Sequence, residues 1–270
     1  MPRLVPLAGG LLLALAIGVA IIAGFGTGAA CAQSGVAPRL DCGNGTGPAA
    51  SAPADGCSVA NLLRDVRVRR DGRGLRVSYR RRAAGIVRVD VFQSATEARI
   101  LGERLVFRSS SRKATRVRWS GKRQKRRARA SADGVFFARI SITAASGRRD
   151  IRRVALVRRG SRFRTRPTFQ RASSCRGALR NFKLERPAFG GAANRALDVS
   201  FRLAGDGRVT VDLLRGTTRV RRLSSAEREG GTLHRVRLSS ERLRRGVYRV
   251  RVRARVADRT TTSTLTTQRV

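Results

Sequence analysis

Apolar and polar residues alternate with a period of two along most of the chain. Over residues 248–256, five apolar residues alternate with Arg249, Arg251, Arg253 and Arg255. Successive side chains of a β-strand point to opposite faces, so this pattern predicts a strand with one core face and one face of guanidinium groups. Residues 136–144 carry the same apolar stripe. Because no long stretch has a helical period, the sequence predicts an all-β fold.

The strand pattern occurs twice. Residues 75–92 (LRVSYRRRAAGIVRVDVF) align without a gap with residues 197–214 (LDVSFRLAGDGRVTVDLL), at an offset of 122 residues. Further along the chain, GVFFARISI at residues 134–142 corresponds to GVYRVRVRA at residues 246–254. A duplicated unit of this size indicates two copies of one domain.

Turn residues divide each copy into short strands. The turn signals are Asp71-Gly72, Asp133-Gly134, Gly205-Asp206-Gly207 and Gly230-Gly231. About seven short strands per copy, each with one polar and one apolar face, predict an antiparallel β-sandwich of immunoglobulin type. With 270 residues the chain has room for two such domains, which we expect over residues 59–170 and 171–270.

Residues 117–140 carry a strand motif, a basic loop and the motif (A/S)DGVFF-x-R-I, and this combination resembles the immunoglobulin-like domain of the flagellar hook-capping protein FlgD. The second copy has the counterparts GG-T-x-H-x-V-x-L at residues 230–238 and GVYRVRV at residues 246–252. These motifs are turn glycines and core aromatic residues, so the resemblance implies the fold and not a flagellar function. With FKLERPAFGG at residues 182–191, the whole chain is also similar to secreted proteins of soil actinobacteria.

The N-terminus has the pattern of an export signal. An uncharged apolar stretch over residues 4–30 follows Arg3, and Ala30-Cys31-Ala32 has the small-x-small pattern that precedes a cleavage site. Two alternatives are an uncleaved anchor, since ~20 apolar residues span a bilayer, and a lipoprotein modified at Cys31. All three place the remainder of the chain outside the cytoplasm. We expect residues 1–32 to be the signal or anchor and residues 33–58, rich in small residues, to be a flexible spacer.

The cysteines fit an oxidising compartment, in which disulfides persist. Cys57 and Cys175 each precede one copy, so a bond between them would join the starts of the two domains. The competing pair is Cys42 with Cys57, which would close a short local loop. We expect no metal site, because the chain has no CxxC motif and its single histidine, His234, stands alone. No cofactor is expected.

The charge of the chain is strongly positive. It has 59 basic and 17 acidic residues, for a net charge of +42. Such a field favours anionic partners, although a solvated arginine surface without a dedicated partner is the alternative. The densest run, KRQKRRAR at residues 122–129, is predicted as a loop that either contacts anions or limits aggregation of nearby strand edges. The candidate anion-contact residues are Lys122, Arg123, Lys125, Arg126, Arg127, Arg129, Arg249, Arg251, Arg253 and Arg255.

The polar residues form no recognisable catalytic set. A nucleophile needs a base within hydrogen-bond reach, and His234 occupies a position where the first copy has Thr115, so we expect it to be structural. Asp90 and Asp212 are equivalent in the repeat and should face outward among arginines, in surface ion pairs worth ~0–1 kcal/mol each. We therefore expect no enzymatic activity.

The sequence thus predicts a non-enzymatic, exported cell-envelope protein that contacts an anionic surface polymer or a partner protein. One alternative is an accessory module that docks an extracellular enzyme. Another is nonspecific binding of extracellular nucleic acid, although single-strand binders use aromatic stacking and aromatic residues make up only 5% of this chain. Contact with a membrane is expected only through residues 4–30, if they are retained.

Overall fold

The computed structural model describes residues 59–122 and 132–270. The predicted signal or anchor, the spacer, Cys31, Cys42, Cys57 and residues 123–129 of the basic run lie outside the described residues. All regular secondary structure in the described part of the chain is β-strand, and the prediction of an all-β fold is confirmed. Within these same ranges there is no helix long and apolar enough to cross a membrane.

The first copy forms two antiparallel sheets. Its strands are β1 (Leu63–Asp71), β2 (Gly74–Arg81), β3 (Ile86–Ala95), β4 (Ile100–Ser111), β5 (Arg116–Trp119), β6 (Gly134–Thr143), β7 (Arg149–Arg159) and β8 (Arg162–Thr165). One sheet has the order β1-β2-β5 and the other has the order β4-β3-β6-β7-β8.

The second copy repeats this arrangement. Its strands are β9 (Leu179–Leu184), β10 (Ala188–Phe189), β11 (Leu197–Leu203), β12 (Gly207–Arg215), β13 (Thr218–Arg228), β14 (Leu233–Leu238), β15 (Gly246–Val256) and β16 (Arg259–Arg269). The sheets have the orders β14-β11-β9 and β10-β16-β15-β12-β13, and the short strand β10 runs parallel to β16. The boundary expected between residues 170 and 171 stays a prediction.

Each copy buries the apolar stripes that its sequence predicts. In β15 the residues Tyr248, Val250, Val252 and Ala254 are all buried, whereas the arginines between them are exposed or half-buried. The core of the first copy contains a run of aromatic rings, in which Phe163 lies 5.4 Å from Trp119 and 5.3 Å from Phe136, measured between ring centroids. Strand alternation therefore accounts for both cores.

Strand β6 departs from the expected alternation, because both of its faces are buried. On the side away from the first core, Phe137 stacks on Phe92 with ring centroids 4.9 Å apart. Phe169 meets Phe137 edge-on at 5.5 Å, and its carbonyl accepts a 2.8 Å hydrogen bond from the backbone N–H of Leu184 in β9. Phe169 thereby joins the outer face of the first copy to the core of the second.

A second contact joins the two copies at the end of β6. Ala95 and Val135 of the first copy form a buried apolar cluster with Ala188 and Val270 of the second. Close by, Gly191 has a φ of +69°, and a Cβ at this position would lie 2.8 Å from the carbonyl oxygen of Ala98. The repeat pattern predicts a polar outer face, but the face is apolar here. The second copy covers it.

Phe169 should contribute as a core residue to both copies. We expect Phe169→Ala to lower the free energy of unfolding by ~3–5 kcal/mol, as for other buried phenylalanines, in a urea denaturation experiment. Val220→Ala is the matched control, because Val220 is 44% exposed and should change stability by less than about 0.5 kcal/mol. A loss below about 1 kcal/mol for Phe169→Ala would contradict the packing described above.

Tyr79 in the first core has a buried hydroxyl that finds no hydrogen-bond partner in the described structure, and the second copy has Phe201 there. We expect Tyr79→Phe to stabilise the protein by ~1 kcal/mol at neutral pH, because an unsatisfied buried polar group is removed. Tyr248→Phe is the control: the Tyr248 hydroxyl donates a 2.7 Å hydrogen bond to the carbonyl of Arg244, so its removal should cost ~1 kcal/mol.

The same residue predicts a dependence on pH. Burial raises the pKa of Tyr79 above its ordinary value, and the nearby Arg81 opposes this only in part. The folded state therefore favours the neutral phenol, so its contribution to stability is complete below the unfolded-state pKa of about 10 and is lost as the pH rises above it. Urea denaturation from pH 8 to 11 should show the wild type losing stability relative to Tyr79→Phe, and parallel curves would contradict this assignment.

Candidate anion-binding site

A buried carboxylate lies at the centre of the five-stranded sheet of the first copy. Asp90 in β3 is flanked by arginines on both neighbouring strands: its Oδ1 lies 2.6 Å from Nε of Arg108 in β4, and its Oδ2 lies 2.8 Å from Nη2 of Arg139 in β6. The Asp90 side chain is 0% exposed. Arg139 also lies over the ring of Phe92, with 4.6 Å between its Cζ and the ring centroid.

The second copy has the same arrangement around Asp212 in β12. Its Oδ2 lies 3.1 Å from Nη2 of Arg251 in β15, and its Oδ1 lies 3.4 Å from Nε of Arg222 in β13. Arg219 approaches Oδ1 to 4.0 Å. The Asp212 side chain is 8% exposed.

The expectation that these two aspartates form surface ion pairs is wrong. Both lie on the outward side of their strands, as the alternation predicts, but the arginine side chains of both neighbouring strands cover them. A long guanidinium side chain buries its aliphatic part along the sheet and shields the carboxylate beneath it. Removal of one partner from a buried pair leaves an uncompensated charge, which costs far more than loss of a surface pair.

The pairing with Asp212 divides the four predicted arginines of β15 into two kinds. Arg251 is half-buried and bound to Asp212. Arg249, Arg253 and Arg255 are exposed, and within the described residues none of the three makes an ion pair. Three guanidinium groups of this strand are therefore available to an external anion.

Threonines line the neighbouring strand on the same side of the sheet. In the antiparallel pairing of β15 with β16, Arg251, Arg253 and Arg255 lie opposite Thr264, Thr262 and Thr260. The three threonines are exposed. Arg208 and Thr210 of β12 border the arginines on the other side, opposite Arg255 and Arg253. We call this surface the Arg/Thr face; it consists of Arg208, Thr210, Arg249, Arg251, Arg253, Arg255, Thr260, Thr262 and Thr264.

The Arg/Thr face is open and positively charged. A shallow recess of about 320 Å³ lies between Arg208, Thr210, Arg253, Arg255 and Thr260. Two acidic residues pair with arginines of this face: Asp212, which three arginines surround, and Glu227, whose Oε1 lies 3.9 Å from Nη1 of Arg208. A concave, guanidinium-lined surface of this kind attracts anions and binds their oxygens through paired N–H groups.

At the Arg249 end of this face, the equivalent surface of the first copy is covered. Strand pairing places Phe92, Phe137 and Ala155 in one row across that sheet, where the second copy has Leu214, Arg249 and Thr266. The first row is buried against Phe169, whereas Arg249 is exposed. The alignment of GVFFARISI with GVYRVRVRA shows that Phe137 of the first copy corresponds to Arg249 of the second. This exchange is the sequence signal that distinguishes the covered position from the exposed one.

Burial also affects two first-copy arginines. It lowers the pKa of Arg153, although the carboxylate of Glu103 acts in the opposite direction. It also lowers the pKa of Arg166. Nη1 of Arg153 donates a 2.7 Å hydrogen bond to Oε1 of Gln170. These two arginines therefore serve the packing of the molecule and are not candidates for anion contact.

The other predicted site residues lie apart from this face. Lys122 is exposed, and its carbonyl accepts a 2.7 Å hydrogen bond from the indole of Trp119, whereas Arg123, Lys125, Arg126, Arg127 and Arg129 lie outside the described residues. Cys57 and Cys42 lie outside the described residues, so the bond between Cys57 and Cys175, like the alternative between Cys42 and Cys57, stays a prediction. His234 lies in β14, with Nε2 2.8 Å from the carbonyl of Glu229 and its ring 5.4 Å from that of Phe201.

Residues 59–122 and 132–270 contain no cluster of three or more histidine, cysteine or acidic residues that would hold a metal ion. His234 is engaged with the backbone and an aromatic ring, as expected for a structural residue. The chemistry of the described surface is therefore that of guanidinium and hydroxyl groups.

No family model and no curated protein sequence matches the chain. Among solved structures, the fibronectin(III)-like modules of Clostridium thermocellum CbhA share 15% identity over 75% of this chain and 95% of that one, with a TM-score of 0.22. The BSP domain of a biofilm-associated protein shares 10% identity over 77% and 30%, with a TM-score of 0.24. The D0-D1 domain of intimin shares 11% over 72% and 88%, with a TM-score of 0.27.

At these TM-scores and identities the comparisons contribute no argument about function, and the fold described above rests on strand topology. The resemblance to the immunoglobulin-like domain of the hook-capping protein stays a prediction.

The buried carboxylates should be worth more to stability than an exposed pair. We expect Asp90→Ala to lower the free energy of unfolding by ~3–5 kcal/mol in urea denaturation, because Arg108 and Arg139 lose their common counter-charge. Asp71→Ala is the matched control: Asp71 pairs with Arg76 and Arg118, each at 3.2 Å, but its side chain is 31% exposed, so ~0–1 kcal/mol is expected. Equal losses for the two variants would contradict a special role for Asp90.

Proposed function

We propose that the protein is a non-enzymatic component of the cell envelope that binds an anionic surface polymer through the Arg/Thr face. The observation that carries the proposal is the row of Arg249, Arg253 and Arg255, which are exposed and make no ion pair with any described residue, beside the Asp212 pairing. Because the first copy has Phe137, Ser141 and Thr143 at the positions of Arg249, Arg253 and Arg255, the arginine row is a specific feature of the second copy.

A rigid sheet suits this task because it lowers the entropic cost of binding. The backbone of β15 is hydrogen-bonded on both sides, to β12 and to β16, so the arginines are already spaced when the polymer arrives. Each guanidinium that neutralises an anionic group releases counterions, so affinity should fall as salt rises. An export signal at the N-terminus, predicted from residues 1–32, would place this surface outside the cytoplasm.

Docking of an enzyme on a sheet edge has less support. The free edge of the second five-stranded sheet is β13, and it carries exposed Arg219 and Arg222. Charged side chains along an edge oppose the addition of a further strand. The flat face of the same sheet is therefore the better candidate for a binding surface.

The proposal is tested by cosedimentation of the full chain with purified cell envelope across a salt series, before and after removal of the anionic polymers. We expect binding to fall with salt, to disappear with the polymers, and to weaken by at least about tenfold in the triple variant Arg249→Gln, Arg253→Gln, Arg255→Gln.

The matched control carries the same change of charge on the other sheet of the second copy, as Arg202→Gln, Arg235→Gln, Arg237→Gln. All three of these residues are exposed. The control should retain most of the affinity. Equal binding by both triple variants would overturn the proposed site, and binding that ignores both salt and polymer removal would indicate a protein partner instead.

A further inference from the structure

We infer that the polymer accepted by the Arg/Thr face is a polyol phosphate, a linear chain of short polyols joined by phosphodiesters, lying extended along β15. The inference rests on the proposed function and specifies its ligand. Three features of the face favour this chemistry: the spacing of its arginines, the hydroxyl groups beside them, and the identity of its other side chains.

The spacing of the arginines matches a phosphodiester repeat. Arg253 and Arg255 are separated by two residues, which means six backbone atoms and a distance of about 6.8 Å along an extended strand. A glycerol phosphate unit also contributes six backbone atoms to its polymer: one phosphorus, two oxygens and three carbons. An extended poly(glycerol phosphate) therefore presents one phosphate for each alternate residue of β15, so its phosphates have the same spacing as the arginines of the row.

The arginines on either side of Arg251 make no ion pair within the described residues. Arg249 lies on one side of Arg251, and Arg253 and Arg255 lie on the other. The central Arg251 is held by Asp212, which Arg219 and Arg222 also approach. The centre of the face thus keeps an excess of positive charge, and phosphates on both sides of it find a guanidinium whose two N–H groups fit their oxygens.

The threonines supply what the arginines lack. A guanidinium only donates hydrogen bonds, whereas a hydroxyl both donates and accepts. Thr260, Thr262 and Thr264 lie on the strand next to the arginines, about 4.8 Å away across the sheet. They can donate to phosphate oxygens and accept from the hydroxyl groups of a polyol. A polymer that carries anions and hydroxyl groups together uses the threonines both as donors and as acceptors, whereas a polycarboxylate without hydroxyl groups leaves their acceptor capacity for polyol hydroxyls unused.

The composition of the face disfavours single-stranded nucleic acid, which has the same six-atom repeat. Proteins that bind single strands stack the bases on aromatic side chains. Every member of the Arg/Thr face is an arginine or a threonine, so no ring is available for stacking. A polyol phosphate has no base, so its binding does not depend on stacking rings.

The experiment measures the affinity of the full chain for three probes of equal charge number at one ionic strength: poly(glycerol phosphate), poly-glutamate and oligo-deoxythymidine. Isothermal titration calorimetry is performed on the wild type, on the arginine triple variant defined above, and on Thr260→Val, Thr262→Val, Thr264→Val. Valine keeps the β-branched shape that suits a strand, and a denaturation curve checks that each variant is folded.

We expect the wild type to prefer poly(glycerol phosphate) to the other two probes by at least about tenfold. The threonine variant should lose this preference and keep its affinity for poly-glutamate, whereas the arginine variant should lose affinity for all three probes.

Equal affinity of the wild type for poly(glycerol phosphate) and poly-glutamate would overturn this inference and leave the proposed function intact. Preferred binding of oligo-deoxythymidine would overturn it in favour of nucleic acid. A threonine variant that keeps the wild-type preference would also overturn it, because the hydroxyl row would then have no part in selection. Wild-type affinity of the arginine variant for every probe would overturn the proposed function itself.

Discussion

The contact between a buried aspartate and arginines on both neighbouring strands organises each of the two large sheets. Asp90 and Asp212 occupy equivalent positions, and each joins three adjacent strands through side chains on the outward face. A carboxylate in such a place must be paired, because an uncompensated buried charge is costly. The pairing also engages arginines of both neighbouring strands and leaves Arg249, Arg253 and Arg255 of β15 without an ion pair within the described residues. In the second copy, this division determines which guanidinium groups face an incoming anion.

The two copies have equivalent strand arrangements, but the outward rows of their large sheets have different surroundings. In the first, the row of Phe92, Phe137 and Ala155 is apolar and packs against Phe169 and the second copy. In the second, Leu214, Arg249 and Thr266 take these positions, and the face continues into exposed arginines and threonines. One end of the first-copy sheet face is thus an internal contact, and the corresponding end of the second-copy face carries the exposed Arg249. The strongly basic composition alone does not make this distinction, since Arg166 of the first copy lies at the contact, where its Nη2 donates a 3.4 Å hydrogen bond to Oε1 of Gln268.

Much of the fold follows from alternation and turn residues. The stripe of Tyr248, Val250, Val252 and Ala254 predicts the buried face of β15, and the repeat locates its counterpart in β6. The burial of Phe137 and Asp90 could not be predicted, because it depends on what lies above the sheet: the second copy in one case, and arginine side chains from adjacent strands in the other. Of the Arg/Thr face, the sequence predicts only the four arginines of β15, since Arg208 and Thr210 of β12 and the threonines of β16 become their neighbours through strand pairing.

The salt dependence of polymer binding tests the central claim most directly. For a single-stranded polyanion, each neutralised phosphate contributes about 0.7 to the slope of log K against log salt. If Arg249, Arg253 and Arg255 each contact one phosphate, replacing all three with glutamine should reduce the slope for poly(glycerol phosphate) by about two. The control at Arg202, Arg235 and Arg237 should leave the slope unchanged. A slope that both triple variants reduce equally would show that the positive charge acts as a diffuse field, and would contradict binding at the Arg/Thr face.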